Sequence, residues 1–404
     1  MASTSAPETL QNPSSTSAGT SAETQPRQPI WLRCEKKPFE HRSALTPTTA
    51  RVLLDNNFEV FVERDPQRIF DDAEFEEVGC KMVPNNEWPS APLDVPIIGL
   101  KELPESTDPL PHTHIQFAHC YKHQGGWADV LRRFAQGKGT LYDLEFLEDP
   151  VTHRRVAAFG FHAGFAGAAA GALAYAAQQQ SGGDGRLAAL KPYDNEAAMV
   201  EHVRAGLAGV KGGIDEVKVL VIGALGRCGS GAVDLFRKAG LKEDNIVKWD
   251  MAETARGGPF QEILDVDIFV NCIYLSKPIP KFITSEFIAE AGDARRLSVV
   301  VDVSCDTTNP HNPIPIYDIN TTFPDPTVDV DTKGVGKRCT VISIDHLPTL
   351  LPRESSEQFS KDLLPSLLQL PERASAPVWV NAEKLFKEKL AEAKAYDEEN
   401  GISA

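Results

Sequence analysis

The chain has 404 residues, enough for two or three ordinary domains, and its 42 % hydrophobic and 24 % charged residues are the balance of a globular protein with a sizeable core. A net charge of −16 without a basic block argues against nucleic acid or an anionic membrane surface as the main partner, though a locally positive cleft remains compatible with it. Residues 1–27 are rich in Ser, Thr, Ala, Gln and Pro with no apolar run, which reads as a disordered leader and not a signal peptide. IWLRCEK (30–36) reads as a strand, 47–57 as a helix opened by Pro47, and FEVFVERD (58–65) as a second strand. VPIIGLK (95–101) and HIQFAHCYK (114–122) read as two more strands. GWADVLRRFAQG (126–137) reads as an amphipathic helix closed by Gly137, and GTLYDLEFL (139–147) as a further strand. Such alternation implies parallel βαβ units.

The second half repeats the pattern. FGFHAGFAGAAAGALAYAA (159–177) is apolar, but its Ala and Gly suit close helix packing better than lipid. Past a polar loop at 182–185, within a linker over 179–216, continuous apolar runs follow at 217–223, 245–250, 267–275, 298–304 and 340–348, as expected of strands buried on both faces. From about 349 the tail is helical and is expected to fold back on the first domain. Seven scattered cysteines suggest reduced thiols and no disulfide scaffold, although Cys228 and Cys272, read as strand ends, could approach one another. The C-terminal Ile402-Ser403-Ala404 is no peroxisomal tripeptide.

VKVLVIGALGRCGSGAVDLF (217–236) runs from a strand through glycines 223, 226, 229 and 231 into a helix. Glycine lets backbone N–H groups approach a pyrophosphate, and the helix N-terminus adds donors. The spacing is not the usual G-x-G-x-x-G, but strand, turn and helix come in the required order. Asp250 closes the next strand, where a carboxylate would pair with the ribose hydroxyls of NAD and repel the extra phosphate of NADP.

Ligands of parallel α/β sheets bind beyond the carboxyl ends of the strands. That rule selects Lys36, Lys37, His41 and Arg42 after the first strand, Lys101 and Glu102 after 95–100, His119 and Lys122 after 114–118, and Glu145. Each alone reads as a solvated loop charge; together they suit an anionic substrate carrying an amine. Arg42 can fork onto a carboxylate, Lys101 crowded by cations can serve as a base, and His119 exchanges protons near neutrality. Arg154 and Arg155, at the domain junction, could reach a cofactor phosphate or a substrate carboxylate. A rival reading is a zinc site from His112, His114, His119, Cys120 and His123, whose spacing matches no closed motif.

HRSALTPTTA (41–50), GLKELPE (99–105), HIQFAHCYK, GTLYDLEFLED (139–149), RRVAAFGF (154–161), IGALGRCGSGA (222–232), RGGPF (256–260), NCIYLSKPI (271–279), DTTNPHNPIPIY (306–317), SIDHLPTLLPRE (343–354) and APVWV (376–380) resemble the NAD-dependent, lysine-forming saccharopine dehydrogenases. The likeness covers nearly all of 30–385. It implies reversible conversion of saccharopine, NAD and water to lysine, 2-oxoglutarate and NADH, the last step of lysine synthesis by the aminoadipate route. It further implies Lys101 as acceptor of the secondary-amine proton, His119 as acid–base for imine hydrolysis and Arg42 as a carboxylate ligand. Lys37, Glu102, Lys122 and Glu145 would tune the charge network, with Arg155 and Phe159 near the substrate. Arg154, Gly223, Gly226, Arg227, Asp250, Thr254 and Val303 would contact NAD, with Asp345 near the cofactor and the domain junction. No metal is required.

The reading is an α/β protein with two Rossmann-like domains of parallel strands and a cleft between them. Residues 28–158 and 346–404 would form the substrate domain and 159–345 the NAD domain. Its partners would be small molecules in the cytoplasm, without nucleic acid or membrane; a monomer is compatible and oligomeric state stays open. An alanine-dehydrogenase-like enzyme using ammonia, or a catalytically silent NAD-binding regulator, are the alternatives. One carboxylate would not need so many cations, and a silent relative would be free to lose Lys101, His119 and Arg42.

Overall fold

The structure, a computed structural model, describes residues 26–402 except 276, 306 and 308. The leader expected over 1–27, save its last two residues, and the last two positions of the C-terminal tripeptide lie outside the described residues.

The first sheet holds β1 (Gln28–Leu32), β2 (Phe58–Glu63), β3 (Lys81–Val83), β4 (Ile97–Ile98), β5 (Thr113–Gln116) and β6 (Thr140–Asp143). All are parallel, in the order β3-β2-β1-β4-β5-β6. The strand order reverses between β1 and β4, so a crevice opens beyond their carboxyl ends. The second sheet holds β7 (Val219–Ile222), β8 (Ile246–Trp249), β9 (Ile268–Asn271), β10 (Val299–Asp302), β11 (Val328–Asp329) and β12 (Thr340–Ile342), in the order β11-β12-β10-β9-β7-β8. Its reversal lies between β7 and β9. β11 pairs antiparallel with β12 at the edge of this otherwise parallel sheet, a common arrangement.

The strands are shorter than the apolar runs. Past the strand ends several backbone N–H groups pass to buried carboxylates. Glu63 Oε2 accepts from Cys34 N at 2.8 Å, Asp65 Oδ2 from Glu35 N at 3.2 Å, Asp143 Oδ2 from Ala118 N at 3.3 Å and Asp143 Oδ1 from Glu145 N at 2.9 Å.

Helix Gly160–Gln180 is buried along nearly its whole length, packed on helix Arg227–Ala239 and on helix Glu196–Ala208. A Cβ at Gly164 would overlap the Cys228 carbonyl, and one at Gly231 the Phe161 carbonyl. These glycines let two helix backbones touch, and no helix among the described residues is long and apolar enough to cross a membrane. The 179–216 linker contains helix Glu196–Ala208, capped by the Asn195 side chain, with Met199, Val203 and Leu207 buried at i, i+4 and i+8. The same spacing is present in the sequence of the linker. Helix Trp127–Gly137 ends on Lys138 in the left-handed region, not on Gly137. Glycine is needed at 137 because a Cβ there would enter the Leu110 backbone.

The tail returns to the first sheet, as its position in the chain suggested. Phe359 and Leu363 of helix Pro352–Leu367 and Trp379 of helix Pro377–Glu399 join the core formed by β1, β2 and β4. Trp379 is fully buried, 5.0 Å from the Tyr142 ring centre, and donates its Nε1–H to the Ser366 carbonyl at 2.9 Å.

Candidate active site

The chemistry gathers at the β1/β4 reversal. Lys37 and Arg42 arrive from β1, Lys101 and Glu102 from β4, His119 and Lys122 from β5 and Glu145 from β6. Facing them is Asp345, three residues past β12 of the second sheet, 4.0 Å from the Lys37 ammonium. The site therefore lies between the two sheets. Lys37 also pairs with Glu102 at 3.4 Å.

Arg42 is buried and held by a carboxylate that the sequence reading missed. Glu40 accepts from Arg42 Nε at 2.8 Å, from Nη2 at 2.7 Å and from the Arg42 backbone N at 3.1 Å, and Thr349 Oγ1 adds a fourth bond at 3.3 Å. Burial alone would raise the Glu40 pKa, but the Arg42 guanidinium overrides it and holds the carboxyl at about 2. The guanidinium lies 4.3 Å over the Phe159 ring, which stacks on Phe359 at 4.3 Å. Its one open edge can meet a substrate carboxylate while the other stays occupied. The signal for Glu40 was an acid two residues before Arg42, indistinguishable in sequence from a solvated loop charge.

Lys101 sits among these groups. Burial lowers its pKa from the ordinary lysine value, and the nearby Arg42 and Lys37 charges lower it further, against Glu40 and Asp345. His119 adopts φ 50°, stacks along Phe117, and has carboxylates on both sides: Nε2 is 3.8 Å from Glu102 and Nδ1 is 4.0 Å from Glu145. Burial and the Lys101 charge lower its pKa, which keeps the imidazole neutral and able to take a proton. Glu145 in turn pairs with Lys122 at 2.6 Å and Arg155 at 3.5 Å. His346, another neighbour missed from sequence, carries a pKa lowered by burial and lies within electrostatic reach of Glu40, Arg42 and Lys101.

The zinc reading fails on geometry. His112 and His114 are buried, both against Trp88, and Cys120 is buried; His119 lies in the cleft, while His123 is exposed and pairs with Glu392 at 2.9 Å. Cys228 lies in the first turn of helix Arg227–Ala239, not at a strand end, and Cys272 directly follows β9. They are hydrogen-bonded neighbours and both are free thiols.

The glycine-rich turn lies at the β7/β9 reversal of the second sheet. Gly223 has φ +84°, and a Cβ there would strike the Ile273 side chain and the Cys272 carbonyl. Gly226 is the N-cap of helix Arg227–Ala239, whose first-turn N–H groups stay available to an anion. Arg227 Nη2 bonds the Arg155 carbonyl at 2.9 Å, which brings this helix end to the catalytic cleft. Asp250 Oδ2 accepts from Leu225 N at 3.1 Å and Oδ1 from Met251 N at 2.9 Å, so its carboxylate stands at the lip of the turn. Thr254 Oγ1 bonds the Asp250 carbonyl at 3.0 Å. Val303 follows β10, half-buried against the helix at Gly167. Arg154 is exposed in the 148–155 hairpin, where its carbonyl accepts from Asp149 N. The close-approach glycines, the helix end and the acid fit a dinucleotide.

Comparison with known proteins agrees with this geometry. The family described as alanine dehydrogenase/PNT, N-terminal domain, matches residues 31–166. A saccharopine dehydrogenase [NAD(+), L-lysine-forming] of Yarrowia lipolytica is 62 % identical over 358 residues, covering 88 % of this chain and 96 % of that protein. The proteins of the same name from Candida albicans and Schizosaccharomyces pombe are 58 % and 57 % identical, covering 90 % and 89 % of this chain and 97 % of each relative. Among solved structures, an L-alanine dehydrogenase shares the fold at a TM-score of 0.62 with 15 % identity, over 89 % of this chain and 93 % of that one. A transhydrogenase from Sinorhizobium meliloti does so at 0.56 with 16 % identity, over 85 % and 94 %.

Proposed function

The chain belongs to the NAD-dependent, L-lysine-forming saccharopine dehydrogenases, and from that membership we propose how its cleft works. The reaction is the reversible oxidative deamination of L-saccharopine with NAD and water to L-lysine, 2-oxoglutarate and NADH, in lysine biosynthesis. The observation that carries the mechanism is the convergence of Lys101, His119 and Arg42, with their flanking carboxylates, at the strand-order reversal of one sheet and opposite Asp345 of the other.

Saccharopine bears three carboxylates and a secondary amine. The open edge of Arg42 takes one carboxylate, with Arg155 nearby for another, while Phe159 walls the site. NAD, when bound, supplies the hydride acceptor; Gly223, Gly226, Arg227, Asp250, Thr254 and Val303 would hold it, with Arg154 at the junction. Lys101 Nζ, its basicity lowered by burial and its cationic neighbours, takes in its neutral form the proton from the secondary amine as the C–H bond breaks. The resulting imine is attacked by water, whose proton passes to His119. The same imidazolium then protonates the departing lysine nitrogen, and as the carbinolamine C–N bond cleaves and the C=O forms, the hydroxyl proton returns to the imidazole. Glu102 and Glu145 flank the two ring nitrogens at 3.8 and 4.0 Å and favour the imidazolium, and Lys37 and Lys122 help keep those carboxylates ionised. The division into 28–158 plus 346–404 for substrate and 159–345 for NAD, a cytoplasmic location and a monomer belong to the same proposal.

The test follows NADH absorbance with lysine and 2-oxoglutarate, each omitted in turn, beside NADPH and beside ammonia with pyruvate. Turnover that requires both lysine and 2-oxoglutarate and prefers NADH is expected. Turnover with ammonia and pyruvate in their place would overturn the reading.

A further inference from the structure

Directly after β1, Arg33 and Glu35 form an ion pair 3.3 Å apart beneath the Lys101 loop. They are 1 % and 7 % exposed and belong to no part of the mechanism above. Glu35 Oε1 accepts from Leu100 N at 2.7 Å and Oε2 from Lys101 N at 3.0 Å. Arg33 Nη2 donates to the Lys101 carbonyl and to Gln116 Oε1, the latter at 3.1 Å, and Nη1 donates to the Cys34 carbonyl at 3.1 Å. The backbone on both sides of the Lys101 Cα is thus gripped by opposite charges. The glycine at 99 serves the same arrangement, since a Cβ there would lie 2.5 Å from the Arg33 Cζ and Nε.

Removing both charges from water is costly, and an apolar pair of similar volume would hold a loop as firmly. What an apolar pair cannot do is fix one residue by its N–H and its carbonyl together. We propose that Arg33 and Glu35 are positioning residues for proton transfer, which hold the Lys101 backbone so that its amine stays in the water-poor place between Arg42 and Lys37. This rests on Lys101 as the proton acceptor. Slack in the loop would let the amine reach solvent and recover ordinary lysine basicity, so that a smaller fraction is neutral at working pH.

The experiment compares Glu35→Gln and Gly99→Ala with the parent enzyme in kcat, in KM for lysine and 2-oxoglutarate, in the pH profile of saccharopine oxidation and in NADH binding by fluorescence. Each variant is expected to lose kcat by roughly 10²-fold, the scale of an ångström-sized misplacement, while each KM moves by less than about threefold. NADH affinity should hold, and the pH at which oxidation reaches half its plateau should rise. If Glu35→Gln does not fold, Gly99→Ala carries the test, because its added methyl presses on the Arg33 guanidinium and not on backbone. An unchanged kcat in a folded variant, or a lower kcat with an unmoved pH midpoint, overturns the proposal. Lys101→Met run alongside separates the two levels: full turnover in that variant would sink the role of Lys101 and the clamp with it.

Discussion

At the scale of single residues, the site is a balance of charges in a water-poor place. Lys101 and Arg42 stand close enough that only Glu40 and Asp345 make their coexistence tolerable. Lys101→Met is expected to lower kcat by roughly 10²–10⁴-fold, the range for loss of a general base, with NADH affinity unchanged since the dinucleotide turn lies on the other sheet. Steady-state rates and fluorescence titration check this together. Asp250→Ser should admit the extra phosphate of NADPH by removing the repelling carboxylate. The ratio of kcat/KM for NADH to that for NADPH should fall by about tenfold or more, equivalent to ~1.4 kcal/mol; an unchanged ratio would remove Asp250 from the ribose. Lys101, His119 and Asp250 were legible because strand ends point at ligands. Glu35, Glu40 and His346 were not, because an acid beside a turn shows its buried partner only after folding.

Elements are set by a few close approaches. Gly164 and Gly231 let helices Gly160–Gln180 and Arg227–Ala239 meet backbone to backbone, where Gly164 faces the Cys228 carbonyl. Gly164→Ala should destabilise the protein by ~1–3 kcal/mol, the usual cost of overpacking, read from urea unfolding. It should also weaken NADH binding, because the displaced helix carries the Gly226 and Arg227 end of the cofactor turn. A variant with parent stability would show that the crossing yields easily. The composition of 159–177 announced a close-packed helix, and the apolar runs announced the strands. The strands drawn over 30–36 and 114–122 end at Leu32 and Gln116, and just beyond them Glu63, Asp65 and Asp143 capture backbone N–H groups.

For the whole molecule, stability should follow the buried histidines. Burial and the Arg33 charge push the His114 pKa well below 6.5, burial takes His162 to about 4, and His119 and His346 are lowered too. Each holds its proton less readily folded than unfolded, so once pH drops below 6.5 the unfolded state binds more protons. Stability is fully present above pH 6.5 and falls as pH falls toward 4. Asp143, which burial raises to about 7, opposes this by binding its proton in the folded state over part of the same range. Asp362, which burial also raises, acts in the same sense as Asp143; four histidines against these two carboxylates leave a net loss on acidification of about 1.4 kcal/mol per pH unit for each uncompensated proton. Urea unfolding from pH 7.5 to 4.5 checks it, and His114→Phe should flatten the slope. A midpoint that rises on acidification would contradict the burial of these rings.

The sequence by itself determined two α/β sheets, a dinucleotide turn and a family, because periodicity, glycine placement and strand-end chemistry are local and survive in a linear string. Which charges face one another was decided only by the tertiary structure. Glu40 against Arg42, Asp345 across from Lys37 and the Arg33–Glu35 grip on Lys101 join segments up to about three hundred residues apart. Electrostatic energy depends on distance in space and on excluded water, and neither quantity is written along the chain.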